Sequence, residues 1–310
     1  MIFLAICVTS KGMHSFSIII PHHEIPALLQ RCLDSIPVQD DVQVIVVDDN
    51  SSPEKVDFSH FPGAERADVT LVFDKQGGGA GHARNVGLEH ADGEWLIFAD
   101  ADDYFTADFS EILSAYRHAE AQLVLFMADS VDSDTGQPSD RHQLLNDYVR
   151  LALEGAVTAR EASLAMPTPW CRMVRRELVE KRQIRFDETP SANDVMFVVK
   201  ATTWADSVMV SDRVLYTVTT RAGSLWSSTH GNVDNYLCRV GVYIRRNRFY
   251  EEQHIGRKKA VLLYVWDARR YGLRGVWKTL CLALREGALF SGFGTLLWIV
   301  KCHIKGVKPI

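Results

Sequence analysis

Between Gly77 and Phe105 the chain reads GGGAGHARNVGLEHADGEWLIFADADDYF. Glycines that allow close backbone approach to a ligand come first. A carboxylate cluster, Asp100, Asp102 and Asp103, comes last. Asp100 and Asp102 are two residues apart, and in extended backbone such residues point the same way. Two converging carboxylates suit a hard divalent cation that also takes oxygens from a phosphate. Three adjacent carboxylates repel one another, and a cation relieves that repulsion; favouring a helix dipole needs only one of them. The glycine loop is neither a dinucleotide fingerprint nor a Walker loop. Counted from Gly77 or Gly79, G-x-G-x-x-G ends at His82 or Arg84, and no Gly-Lys-Ser/Thr is present.

Two other acidic positions carry chemistry. Asp48 and Asp49 follow the apolar run Val44–Val47. Asp-Asn-Ser-Ser-Pro is turn chemistry. One of the two aspartates can serve that turn while the other accepts a hydrogen bond from a nucleobase N–H, such as N3–H of uracil. Asp194 stands three residues after Ser191. Ser-x-x-Asp resembles a capping box, and a carboxylate in a cleft is equally a general base. His22, His23 and His82 lie near the same cleft but make no H-x-H or H-x-x-x-H spacing for zinc.

The elements that must position these residues follow from periodicity. Phe16–Ile20 reads as a buried strand ended by a turn at Pro21, and Pro26 opens a helix running to Pro37. Val42–Val47 and Val69–Phe73 read as further strands. Ala80–His90 reads as a helix, Trp95–Ala99 as a strand, Ala107–Ala119 as a helix and Leu123–Phe126 as a fifth strand. Alternating strands and helices with short loops predict a parallel sheet with helices on both faces. Polar clusters sit at the carboxyl ends of the strands, where such sheets bind ligands. Ser130–Asp140 reads as a loop, residues 141–165 as helical, and Thr168–Arg185 as containing an amphipathic helix. A helix is expected from Ser191. Short strands are expected at Val208–Val210 and Arg213–Tyr216, then helices after Tyr236.

The chain has 310 residues, 47% hydrophobic and 24% charged, an ordinary globular balance sufficient for about two domains. Its six scattered cysteines form no C-x-x-C or zinc spacing and read as reduced thiols of a cytoplasmic protein. The net charge of −5 hides an asymmetry: residues 238–310 hold 15 Lys+Arg against 4 Asp+Glu, hence +11 there and −16 before it. The acidic part argues against nucleic-acid binding. The basic tail suits either an anionic lipid surface or a solvated helical face. Gly287–Val300 is apolar over fourteen residues, short of the roughly twenty a membrane-spanning helix needs. It reads as an interfacial anchor or a buried helix. The apolar start, MIFLAICV, is too short to span and lacks a basic leader. It fits either a translation start at Met13 or an extra edge strand.

Five segments, in order, resemble the inverting family 2 glycosyltransferases of the GT-A fold. FSIIIPHHE resembles their opening strand and VIVVDDNSS their nucleotide-binding strand. GAGHARNVGLEHADGEWLIFADADDYF resembles their Ala-Arg-Asn helix and D-x-D strand end. SANDVMFVVKA resembles their acidic-Asp motif, with Asn193 where Glu is usual. VLYTVTTRAGSLWSS resembles a later Tyr-containing strand and Gly-Ser turn. His23-Glu24 departs from the family's frequent aromatic-Asn. The resemblance covers about Ser15 to Ser228. It implies an α/β, Rossmann-like, mostly parallel sheet flanked by helices, with a helical C-terminal extension. A nucleotide-sugar subdomain would occupy 15–128, an acceptor-side subdomain 129–236 and a basic helical extension 237–310.

By the same resemblance, Asp49 would contact uracil, and Pro21, His22 and Glu24 would line the base and ribose pocket. Arg84 would approach the diphosphate or hold the loop, and Gly81, Asp100 and Ala101 would also contact the nucleotide-sugar. Asp100 and Asp102 would hold Mn2+ or Mg2+, and Asp194 would be the base. The implied partners are a nucleotide-sugar donor, most readily a UDP-sugar, and a saccharide or lipid-linked saccharide acceptor. The basic, amphipathic character of the extension, and not the resemblance, is what would hold the protein near such an acceptor at the inner face of the plasma membrane. Two competing readings are a sugar-phosphate nucleotidyltransferase and a catalytically inert protein of the same fold. The first needs a basic, glycine-rich grip near strand one, which PHHEIPALL lacks; the second sits poorly with Asp102 and Asp194.

Overall fold

The computed structural model describes residues 14–221, 232–256 and 259–294. Met1–Val8, Met13, the Gly-Ser turn after Ala222 and the end of the Gly287–Val300 run lie outside them. The chain divides into two compact units, Met1–Arg185 with Lys200–Thr220, and Phe186–Val199 with Arg221–Ile310.

The eight strands among the described residues all belong to the first unit: β1 Phe16–His22, β2 Val42–Asp49, β3 Val69–Asp74, β4 Trp95–Phe98, β5 Tyr104–Phe105, β6 Leu123–Asp132, β7 Arg172–Arg175 and β8 Val208–Thr220. They form one sheet in the order β3-β2-β1-β4-β7-β6-β8-β5. The β3-β2-β1-β4 half is parallel, as the alternation of strands and helices predicts. The other half is mixed, because β7 runs antiparallel to both β4 and β6. β6 and β8 are parallel to each other, and β5 closes the edge antiparallel to β8.

Helices α1 Pro26–Asp34, α2 Gly79–His90 and α3 Phe109–Tyr116 connect the first strands. They are followed by α4 Gln143–Leu153, α5 Ala159–Ala165 and α6 Arg176–Lys181. Buried Ile18, Ile19, Ile20, Val44, Val46, Leu96 and Phe98 form the centre of the core. Strands buried on both faces read as continuous apolar runs, which is why these were visible in the sequence.

Several elements differ from expectation. β1 continues through Pro21 to His22, pairing Pro21 with Val47. Proline is tolerated there because β4 stops pairing with β1 at Ile19, so the missing N–H faces no partner strand. Ser130–Asp132 extends β6 instead of starting a loop, so the expected boundary at 128/129 falls inside a strand. Thr168–Arg185 supplies β7 before its helix. Arg172 in β7 is buried, its guanidinium donating to the Ser163 hydroxyl and to the carbonyls of Ser163, Met166 and Thr168. A buried arginine satisfied by carbonyls resembles a surface residue in sequence, which concealed the strand. The two short strands expected near 208–216 are one thirteen-residue strand.

The second unit holds α8 Val233–Glu252, α9 Val261–Asp267, a 3-10 turn Ala268–Tyr271 and α10 Gly272–Arg285. Its core is Tyr236, Val240, Ile244, Val261, Tyr264, Ala268, Ala283 and Ala288. α7 Val195–Trp204 begins in this unit and ends in the first. Cys32, Cys171, Cys238 and Cys281 are free thiols.

Candidate active site

The carboxyl ends of β1 and β2 are fixed by a buried polar network. Asp48 does the turn chemistry: its carboxylate accepts from the Ser51 N–H at 3.1 Å and hydroxyl at 2.5 Å. Burial alone would raise its pKa, but the hydrogen bonds from His22 and Ser51 outweigh that and hold it below the usual range. His22, also buried, has both ring nitrogens engaged. Nε2 accepts the Ile25 N–H at 3.2 Å, so Nδ1 carries the proton and donates to Asp48 at 2.8 Å. His22 therefore positions Asp48. Glu24, at φ +57°, donates its N–H to the Ser51 hydroxyl and pairs with Lys55 at 2.5 Å.

Asp49 is arranged differently. It is 7% exposed, and its Oδ2 accepts the Gly79 N–H at 2.8 Å. Its Oδ1 is buried and has no hydrogen-bond partner among the described residues. A buried carboxylate oxygen without a donor is costly, so this atom can accept an N–H from outside the described chain. The glycine loop makes the other contact possible: Gly77 and Gly79 have φ of +67° and +82°, where side-chain-bearing residues are strained.

α2 then runs inward. A Cβ at Gly87 would stand 2.4 Å from Ile19 Cγ2, so glycine there lets the helix lie directly on β1. That close packing brings Gly81 and Arg84 to the strand ends, both buried. Arg84 Nη2 donates to Asp100 Oδ1 at 2.5 Å.

The acidic cluster is built by a turn. β4 ends at Phe98, and the Asp103 N–H closes on the Asp100 carbonyl at 3.0 Å. The i, i+2 rule for extended backbone thus gave the right convergence for the wrong reason. Oxygens of Asp100, Asp102 and Asp103 lie within 4.8 Å of one another, the one such acidic group among the described residues. Asp103 was not among the expected ligands. It is buried and accepts the Thr219 N–H at 2.6 Å. Burial, reinforced by Asp100 and Asp102, drives its carboxyl well above the usual range.

Residues distant in sequence hold the turn. The Asp100 N–H donates to the Tyr216 hydroxyl at 2.8 Å. The Asp102 carbonyl accepts from Arg31 Nη2 at 2.5 Å and from the Thr219 hydroxyl at 2.7 Å. Ala101, between the acids, is buried. Tyr216 was visible in sequence only as the tyrosine of a strand resembling the family's, and Thr219 and Arg31 carried no local signal, since what defines all three here is contact across the fold. All-oxygen ligands and mutual repulsion fit a hard divalent cation.

Asp194 belongs to the second unit. α7 begins at Val195, so Asp194 occupies the N-cap place and Ser191 lies outside the expected capping box. Within its unit Asp194 acts electrostatically on Tyr243, whose hydroxyl is pushed up chiefly by burial.

A Rossmann-like sheet with a carboxylate turn at the strand ends defines the GT-A class of glycosyltransferase folds. Residues 17–183 match glycosyl transferase family 2, and the chain belongs to that family. It is 26% identical over 230 residues to poly(ribitol-phosphate) beta-N-acetylglucosaminyltransferase TarS of Staphylococcus aureus, covering 72% of this chain and only 39% of that enzyme. It is 30% identical over 228 residues to the succinoglycan biosynthesis protein ExoW of Rhizobium meliloti, covering 66% of each. The fold matches S. aureus TarS 1–349 in complex with UDP-GlcNAc at TM-score 0.55 and 22% identity, over 73% of this chain and 65% of that one. It matches the mannosyltransferase PcManGT of Pyrobaculum calidifontis, in complex with GDP-Man and Mn2+, at TM-score 0.57 and 18% identity, over 96% and 82%.

Proposed function

We propose that the chain is an inverting, metal-dependent glycosyltransferase. It moves a hexosyl or N-acetylhexosaminyl group from a nucleotide-sugar, a UDP-sugar first, to a hydroxyl of a bacterial surface-glycan acceptor. The observation that carries this reading is the carboxylate turn beside buried Arg84: three acids within 4.8 Å call for a cation. Such a cation completes its oxygen shell from a diphosphate. The relatives named for glycan synthesis, and the neighbours bound to UDP-GlcNAc or to GDP-Man with Mn2+, point the same way.

Asp100 and Asp102 would hold Mn2+ or Mg2+, with Asp103 beneath them. When bound, the ion supplies Lewis-acid stabilisation of charge on the departing nucleoside diphosphate. Asp49 Oδ1 takes the base N–H, which favours uracil over cytosine because N3 of cytosine bears no proton. The loop Gly77–Gly79 and Arg84 orient the diphosphate, while Arg84 keeps Asp100 in place. Asp194 is assigned the general base. It removes the acceptor hydroxyl proton, the acceptor oxygen bonds to the anomeric carbon, and the bond from that carbon to the diphosphate oxygen breaks. A single displacement inverts the configuration and needs no covalent enzyme intermediate.

The test is a donor panel. Nucleoside diphosphate release is measured from UDP-, GDP- and dTDP-sugars with Mn2+ and with chelator. Release from a UDP-sugar that chelator abolishes supports the reading. Turnover of sugar phosphates with nucleoside triphosphates would replace it with a nucleotidyltransferase.

A further inference from the structure

Among the described residues, eleven large hydrophobic side chains are exposed, and six of them fall between Trp266 and Phe293. Three lie on α10: Leu273 is 90% exposed, Trp277 65% and Leu284 57%. With exposed Cys281 they follow a 4-4-3 spacing, which places all four within an arc of about 80°. Gly275, Thr279 and Ala283 are the buried face on the opposite side. α10 thus already has a buried face of its own, and the stripe is a second, apolar one. Single exposed apolar residues need no explanation, but a stripe of this length does.

Arg274, Lys278 and Arg285 form a band along one edge of the stripe, at about 100–140° on the same wheel. Lys278 is paired with Asp234 at 2.9 Å and Arg285 with Glu286 at 3.6 Å. Arg274 makes no ion pair with a described residue. Arg269 stacks on exposed Trp266. Residues 261–285 hold five Lys+Arg against one Asp.

We propose that the outer face of α10 is a docking surface for an anionic lipid bilayer. Leu273, Trp277 and Leu284 enter the boundary between headgroups and acyl chains, while Arg274, Lys278 and Arg285 lie at phosphate level. No helix among the described residues is long and apolar enough to cross a membrane, so the contact is interfacial. Charge selects this occupant. A second copy meeting the face antiparallel about a two-fold axis would set the two basic bands side by side, and in either orientation α10, which contains no Asp or Glu, brings no acid to neutralise them. The chain's own residues 295–310 carry three lysines and no acid, so they cannot neutralise it either. An anionic bilayer covers the apolar stripe and neutralises the band together. The proposal does not rest on the assignment of the donor site.

The experiment is vesicle flotation of the full chain, with phosphatidylglycerol–phosphatidylcholine vesicles against pure phosphatidylcholine. The expected result is binding to the anionic vesicles that weakens with salt. Leu273→Ser, Trp277→Ser and Leu284→Ser together should lower partition by about a hundredfold. Arg274→Glu with Lys278→Glu should lower it by about thirtyfold, and this pair stands as the test should the apolar triple fail to fold. UDP binding should be the same in every variant, since none of these residues is in the proposed donor site. Equal flotation with both vesicle types, or unchanged partition of a folded variant, overturns the proposal. So does a dimer in light scattering that the triple variant converts to monomer, which would make the face an interface between copies.

Discussion

Asp49→Asn is the sharpest test of the proposed donor pocket. In the parent, Oδ2 is occupied by the Gly79 N–H at 2.8 Å and Oδ1 is buried without a partner. In the variant the amide oxygen retains the Gly79 bond, so the NH2 group takes the place of Oδ1. A uracil N3–H would then meet a donor instead of an acceptor. The loss is one hydrogen bond to a charged group, about 1.5–3 kcal/mol, or roughly a 10- to 150-fold rise in Kd. Cytosine presents an acceptor at N3, so CDP should lose much less and the preference for UDP should narrow or reverse. Titration calorimetry of UDP and CDP in the presence of Mn2+ reads both effects, and a thermal melt of the unliganded protein checks that the fold is retained. A variant that melts like the parent yet binds UDP within about twofold of it would refute the reasoning.

Asp102→Ala should weaken Mn2+-dependent nucleotide binding and turnover together by about tenfold or more; a manganese titration of UDP binding that matches the parent would remove Asp102 from the ligand set. Asp194→Asn keeps a residue equally suited to the N-cap, so its melting temperature should be unchanged while kcat falls about 10²- to 10⁴-fold with little change in KM, read by steady-state kinetics on the donor the panel identifies. Gly87→Ala forces a methyl group to 2.4 Å from Ile19 Cγ2 and should cost about 1–3 kcal/mol, seen in urea as a lower midpoint with the same slope.

The parallel half of the sheet was legible because its strands are uninterrupted apolar runs separated by helical spacing and glycine or proline turns. The division of labour between Asp48 and Asp49 was also within reach, since the turn needs one carboxylate and leaves the other. The antiparallel half was hidden. β7 is only RMVR, and its buried arginine is recognisable only from the carbonyls that surround it. β5 has two residues and no periodicity at all. The Asp100–Asp103 segment was read as extended although it is a turn, because two-residue spacing cannot distinguish them. The capping box at Ser191 failed because a sequence match says nothing of where the helix begins. Asp103 was visible as part of the cluster. Its depth was not, because burial beneath β8 is a property of the assembled sheet.

The supports of the acidic turn come from late in the chain: Tyr216 and Thr219 each reach back across 116 residues, to Asp100 and Asp103. A growing polypeptide that has delivered both glycine loop and acids is still without the strand that holds them. Pairings at such separation are slow to form, because a large loop must close first. Competence to grip an ion is thus expected to arrive in one step, after about residue 220 has left the ribosome and β8 has joined the sheet.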